Sequence, residues 1–154
     1  MIEWQDSELW KEANIFLLNK MAKKINYTYA VGKRRTSSAR VRLFKGKGDS
    51  TVNGKPLNQY FPGKIAEIKI AKPFGLTETS EKYYFTARII GGGVESQMEA
   101  LILGISRALA KASVEKFRPV LKKAKLLTRD DRQRSRRMVG TGGKSRRMKQ
   151  SPKR

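Results

Sequence analysis

The last 27 residues, 128–154, confine any compact fold to the chain that precedes them. They offer only Met138, Val139 and Met148 as large apolar groups, amid three glycines and dense charge. Burying so little cannot offset the entropy of ordering a backbone, so the stretch is expected to be disordered alone and to fold on a partner. Fully extended it spans roughly 90 Å at about 3.3 Å per residue. Such a tail acts far from its own domain.

The charge explains what kind of partner that is. The 154 residues hold 35 Lys and Arg against 13 Asp and Glu, a net charge of +22. A compact chain this basic repels itself and calls for a polyanion. Nucleic-acid phosphates fit best, because neutralising each one releases a condensed counterion. A membrane surface fits less well, since no stretch approaches the ~20 apolar residues of a span and the cations are not confined to one helix face. The chain has no Cys and no His. Thiolate chemistry, the usual general base and the commonest transition-metal ligands are therefore missing. No enzyme, cofactor or small-molecule substrate is expected.

Three segments emerge. Residues 1–22 carry a net −2, residues 23–116 a net +11 and residues 117–154 a net +13. Residues 7–20 read as an amphipathic helix capped by Asp6 or Ser7, with Leu9, Trp10, Ala13, Phe16 and Leu17 at helical spacing. Met21-Ala22-Lys23-Lys24 reads like a second translation start, so this extension is either native or a start-site artefact. From Tyr27 the period changes to two. Tyr27, Tyr29 and Val31 alternate, and Ala39, Val41 and Leu43 alternate against Arg40 and Arg42, so two half-buried strands are expected. A short strand over 50–52 ends at an Asn53-Gly54 turn. Short helices are expected over 57–61 and 65–71, separated by Pro62 and stopped by Pro73. Residues 82–90 form a strand that Gly91-Gly92-Gly93 turns into a helix over about 94–112. On that helix Ala100, Gly104 and Ala108 make a row small enough to lie close on a sheet. A last helix is expected over 118–127, beginning around Pro119.

Candidate binding residues cluster in two places. Lys33, Arg34, Arg35, Thr36, Ser37, Arg40 and Arg42 combine guanidinium forks with short hydroxyl donors, and no acid interrupts residues 23–48. A solvated hairpin tip would normally mix its charge signs. The second cluster is the tail, with Arg129, Arg132, Arg134, Arg136, Arg137, Lys144, Arg146, Arg147, Lys149, Lys153 and Arg154. Arginine predominates there, which favours planar phosphate recognition over point-charge screening. The glycine turn at 91–93 lacks P-loop spacing, so tight packing is the better account of it than nucleotide binding. Asp130-Asp131 suits capping or pairing with Arg129 or Arg132 rather than a Mg²⁺ site.

The basic run from Gly32 to Arg42 resembles the opening of the ribosomal small-subunit protein nine family. So do Thr51-Val52-Asn53-Gly54-Lys55, Tyr60-Phe61-Pro62, Gly91-Gly92-Gly93-Val94-Glu95-Ser96-Gln97 and Gly104-Ile105-Ser106-Arg107-Ala108-Leu109. The segments beginning at Arg118-Pro119 and Leu127-Thr128, and the closing Lys153-Arg154, continue the likeness through residues 27–154. The resemblance implies an α+β fold like domain two of ribosomal protein five, with a left-handed β-α-β crossover, over residues 23–127. It adds Arg107, Arg118, Lys122 and Lys123 to the candidate rRNA contacts. It also implies a place in the small-subunit head, beside neighbouring head proteins, on a cytoplasmic or organellar ribosome. Lys153 and Arg154 would approach P-site tRNA. Ser96 replaces a usual glycine, Pro152 alters the tail tip, and the N-terminal helix has no counterpart in the family.

Overall fold

A computed structural model describes residues 26–140. The helix expected over 7–20 and the tail beyond residue 140 lie outside the described residues. Strands β1 (Tyr27–Arg34) and β2 (Ser37–Lys45) form a hairpin. Strands β3 (Thr51–Val52) and β4 (Lys55–Pro56) flank the Asn53-Gly54 turn, where both residues hold positive φ (51° and 79°) as a type I′ turn requires. Helices α1 (Leu57–Tyr60) and α2 (Lys64–Thr77) lead to β5 (Tyr83–Ile90), followed by α3 (Val94–Ala112) and α4 (Val114–Lys123). The sheet order is β1-β2-β5-β3-β4, antiparallel except where β3 runs parallel to β5.

Helix α3 covers one face of the sheet, over β1 and β2, with α2 and α4 beside it. Leu101, Ile105 and Leu109 are fully buried, each contributing about 1.5–3 kcal/mol by leaving water. The small-residue row brings helix and sheet unusually close. A Cβ added at Gly32 would overlap the Ala100 carbonyl and the Gly104 nitrogen, and one at Gly104 would stand 2.7 Å from Val41 Cγ2.

That closeness decides which face of β1 is buried. Ala30 and Gly32 lie under the helix, while Tyr27 and Tyr29 stay 46% and 44% exposed on the other side. The aromatic set that alternation marks as the apolar stripe is therefore on the open face. Only the smallest side chains fit where α3 presses on β1.

Both helix expectations that relied on proline need correction. Helix α2 runs through Pro73 to Thr77 instead of stopping. Proline cannot donate to the carbonyl four residues back, at a cost of about 3 kcal/mol, but Pro73, Phe74 and Thr77 are buried and hold the last turn in the core. The helix then closes on left-handed Glu78 with Thr79 N–H donating to Phe74 O (3.0 Å). Helix α4 starts at Val114, with Pro119 inside it, and ends at Lys123. Only Leu121 of α4 is buried, so water reaches the carbonyl that Pro119 leaves unpaired. Its end is a Schellman turn: Lys125 adopts φ 57°, and Leu126 N–H donates to Leu121 O at 3.1 Å.

Candidate nucleic-acid interface

The β1–β2 hairpin turns on two residues, Arg35 and Thr36. Lys33, Arg35 and Thr36 are exposed at its tip. Arg35 holds φ 51°, a left-handed conformation that favours glycine or asparagine and costs other residues about 1 kcal/mol. Ser37 departs from its expected role as a phosphate donor. It is 1% exposed, and its hydroxyl donates to Gly91 O at 3.0 Å. The close fit of the glycine turn beneath the hairpin explains this, since a Cβ at Gly91 would stand 2.8 Å from Thr36 O.

Arg40 and Arg42 share the open face, as their alternation indicates. The register adds what alternation does not contain. Arg40 sits directly opposite Val31 on one side and Arg88 on the other, and Arg42 lies between Tyr29 and Thr86. One step further, Tyr27, Phe44 and Tyr84 form an aromatic row with ring centroids 5.7 and 5.1 Å apart. Tyr27, Tyr29, Arg40, Arg42, Thr86 and Arg88 line an open trough of about 980 Å³, walled on one side by the β3–β4 turn. The strands β1, β2 and β5 contain no acidic residue. Arg88 carries no motif of its own, and its place opposite Arg40 depends on a register between strands far apart in sequence.

Arg34 differs from its neighbours. Its Nε pairs with Glu99 Oε2 (2.5 Å) on α3, one terminal nitrogen pairs with Asp130 Oδ2 (3.1 Å), and the other donates to Arg132 O (3.0 Å). Only 12% of the side chain is exposed. This guanidinium ties the root of the tail to the sheet rather than facing solvent. Asp130 also takes both nitrogens of the Arg132 fork, at 3.0 and 2.7 Å. The Arg132 side-chain bonds first, and its backbone N–H second, hold the Asp130 carboxyl well below the usual carboxylate range. The pairing of Asp130 with Arg132 is one of the two pairings expected from the sequence, and the bond to Arg34 is one that sequence gives no sign of. Among the described residues, no group of three or more His, Cys, Asp or Glu gathers as for a metal.

Arg107 is half-buried and donates to Val31 O at 3.0 Å. Arg118, Lys122 and Lys123 are exposed on α4, and Arg129, Arg132, Arg134, Arg136 and Arg137 are exposed along residues 129–140, which form no helix or strand. Lys144, Arg146, Arg147, Lys153 and Arg154 lie outside the described residues.

The motif residues behind the glycine turn form one polar chain. Gln97 Nε2 donates to Gly91 O (3.1 Å), and Gln97 Oε1 accepts from the Tyr60 hydroxyl (3.0 Å). Tyr60 in turn accepts from Asn53 Nδ2 (3.2 Å), whose Oδ1 accepts from Ile89 N–H (2.8 Å). These side chains serve the fold: they hold the turn, β3 and α1 against β5.

Residues 32–154 match the family described as ribosomal protein S9/S16. The chain is also 43% identical over 118 residues to the small ribosomal subunit protein uS9 of Maridesulfovibrio salexigens, covering 77% of this chain and 90% of that protein.

Proposed function

Because the chain belongs to the ribosomal protein S9/S16 family, whose members are structural components of the small ribosomal subunit and not enzymes, we propose that its domain holds rRNA in the subunit head and that its tail reaches P-site tRNA. One observation carries the reading. Arg34 pins Asp130 and Arg132 beside the end of β1, so the hairpin tip and the basic tail, separate in sequence, leave the domain at one place. Lys33 and Arg35 at the tip and Arg129, Arg134, Arg136 and Arg137 along the tail then make a single cationic surface. Phosphate contacts of this kind fix orientation without reading bases.

In this reading residues 1–22 form an extension, 23–127 the RNA-binding domain and 128–154 the tail. The connection from β3 to its parallel neighbour β5 is the left-handed crossover of the fold shared with domain two of ribosomal protein five. Lys153 and Arg154 are the tRNA contacts, and Pro152 before them fixes φ and removes a donor. Deleting Lys153 and Arg154 weakens P-site tRNA binding while subunits still assemble. Unchanged tRNA affinity at low and moderate salt would refute the tail's role.

A further inference from the structure

We infer that the open face of the sheet is a platform for unpaired RNA, with a phosphate held between Arg40 and Arg88 and an adjacent base stacked on Tyr29. The inference rests on the rRNA-binding reading and deepens it, naming single-stranded RNA as the occupant.

Electrostatics supply the first ground. Arg40 and Arg88 are cross-strand partners, so their Cβ atoms stand about 5 Å apart, and like charges so placed disfavour the sheet. No ion pair or side-chain hydrogen bond relieves either of them among the described residues. A phosphate between two planar forks turns that repulsion into charge-assisted hydrogen bonds. The acid-free strands offer no competing anion.

The aromatic groups supply the second ground. Tyr84 is closed on one side by Phe44, nearly parallel at 14°, and meets the backbone of Gly48 as well, where a Cβ would stand 3.0 Å from the ring. The guanidinium of Arg42 covers Tyr27 at 5.2 Å from its centroid. Tyr29 has no ring partner among the described residues and is 44% exposed. It lies one row from the Arg40–Arg88 pair and one strand from Arg40, a diagonal of about 8 Å from two residues along the strand and one strand across.

These two features together select the strandedness. A duplex hides its base faces and would leave Tyr29 idle, whereas an unpaired strand presents both phosphate and base.

The test uses the full chain and three labelled probes: an oligouridylate of about eight nucleotides, the same backbone without bases, and a short blunt RNA duplex. Tyr29→Leu is expected to weaken oligouridylate binding about 5- to 100-fold and to leave the abasic strand unaffected. Arg88→Gln is expected to weaken both single strands, to reduce the salt slope by about 0.7, and to raise the Tm of the RNA-free protein as the repulsion disappears. Wild-type oligouridylate affinity in either variant, or equal losses of Tyr29→Leu on the abasic strand, would overturn the platform. Arg136→Gln separates the two readings. Loss of affinity in it while both face variants bind normally overturns the platform and keeps the rRNA-binding reading. Unchanged affinity in all three overturns both.

Discussion

Asn53→Ala removes the residue on which the polar chain behind the glycine turn depends. Asn53 accepts from Ile89 N–H at 2.8 Å and donates to Ile89 O at 3.1 Å, extending the β3–β5 pairing by one side chain beyond Val52. It also donates to the Tyr60 hydroxyl at 3.2 Å. Each such bond contributes about 0.5–1.5 kcal/mol net, and a part-buried N–H left alone costs about 1 kcal/mol or more. Asn53 also holds φ 51°, a conformation asparagine tolerates and alanine resists by about 1 kcal/mol. The expected loss is about 3 kcal/mol. For a folded region of about 100 residues each kcal/mol shifts Tm by roughly 4–8 °C, so the melting point should fall by about 10–25 °C. Urea unfolding followed by far-UV circular dichroism measures the free energy, with the slope expected to stay constant. Asn53→Gly relieves the backbone but not the hydrogen bonds and should recover about 1 kcal/mol of the loss. A change within about 0.5 kcal/mol, the range of ordinary surface substitutions, would refute the reasoning.

Arg35→Gly relieves the left-handed backbone at the hairpin tip and should stabilise the free protein by about 1 kcal/mol, while weakening RNA binding, as urea melts and a salt-dependent binding titration would show. Greater stability with unchanged binding would remove Arg35 from the interface. The Asp130 carboxyl has a folded pKa below its unfolded one, so its contribution is present above the ordinary carboxylate range and is lost only as pH falls through the depressed value. Amide exchange at Arg132, whose N–H donates to Asp130 Oδ1 at 3.1 Å, should therefore stay slow from neutral pH to about pH 4, and Asp130→Asn should accelerate it throughout. Equal exchange in both proteins would mean that the ion cluster does not hold the tail root.

Much of the architecture was legible because single residues forced it. Asn53-Gly54 and Gly91-Gly92 each require positive φ, and the alternation of Ala39, Val41 and Leu43 against Arg40 and Arg42 matches their burial in β2. The buried face of β1 was not legible, because hydrophobic size marks Tyr27 and Tyr29, whereas close approach by α3 selects Ala30 and Gly32. Pro73 and Pro119 misled for a related reason: proline's cost is local, and packing on one helix or solvent on the other absorbs it. At the candidate interface, composition and alternation identified Arg40 and Arg42, but Arg88 and Tyr29 join them only through cross-strand register. Arg34 shows the opposite limit. Within a run of similar cations, nothing in the sequence marks the one whose guanidinium meets Glu99 and Asp130 across the fold.

The central claim, that this surface holds the chain within the small subunit, is tested most directly by sedimentation of cell extract through a high-salt gradient. The chain is predicted to remain with the small subunit, and a variant lacking charge at Lys33, Arg35, Arg40, Arg42 and Arg88 is predicted to be released toward the top. Wild-type chain recovered at the top, free of subunits, would contradict the account.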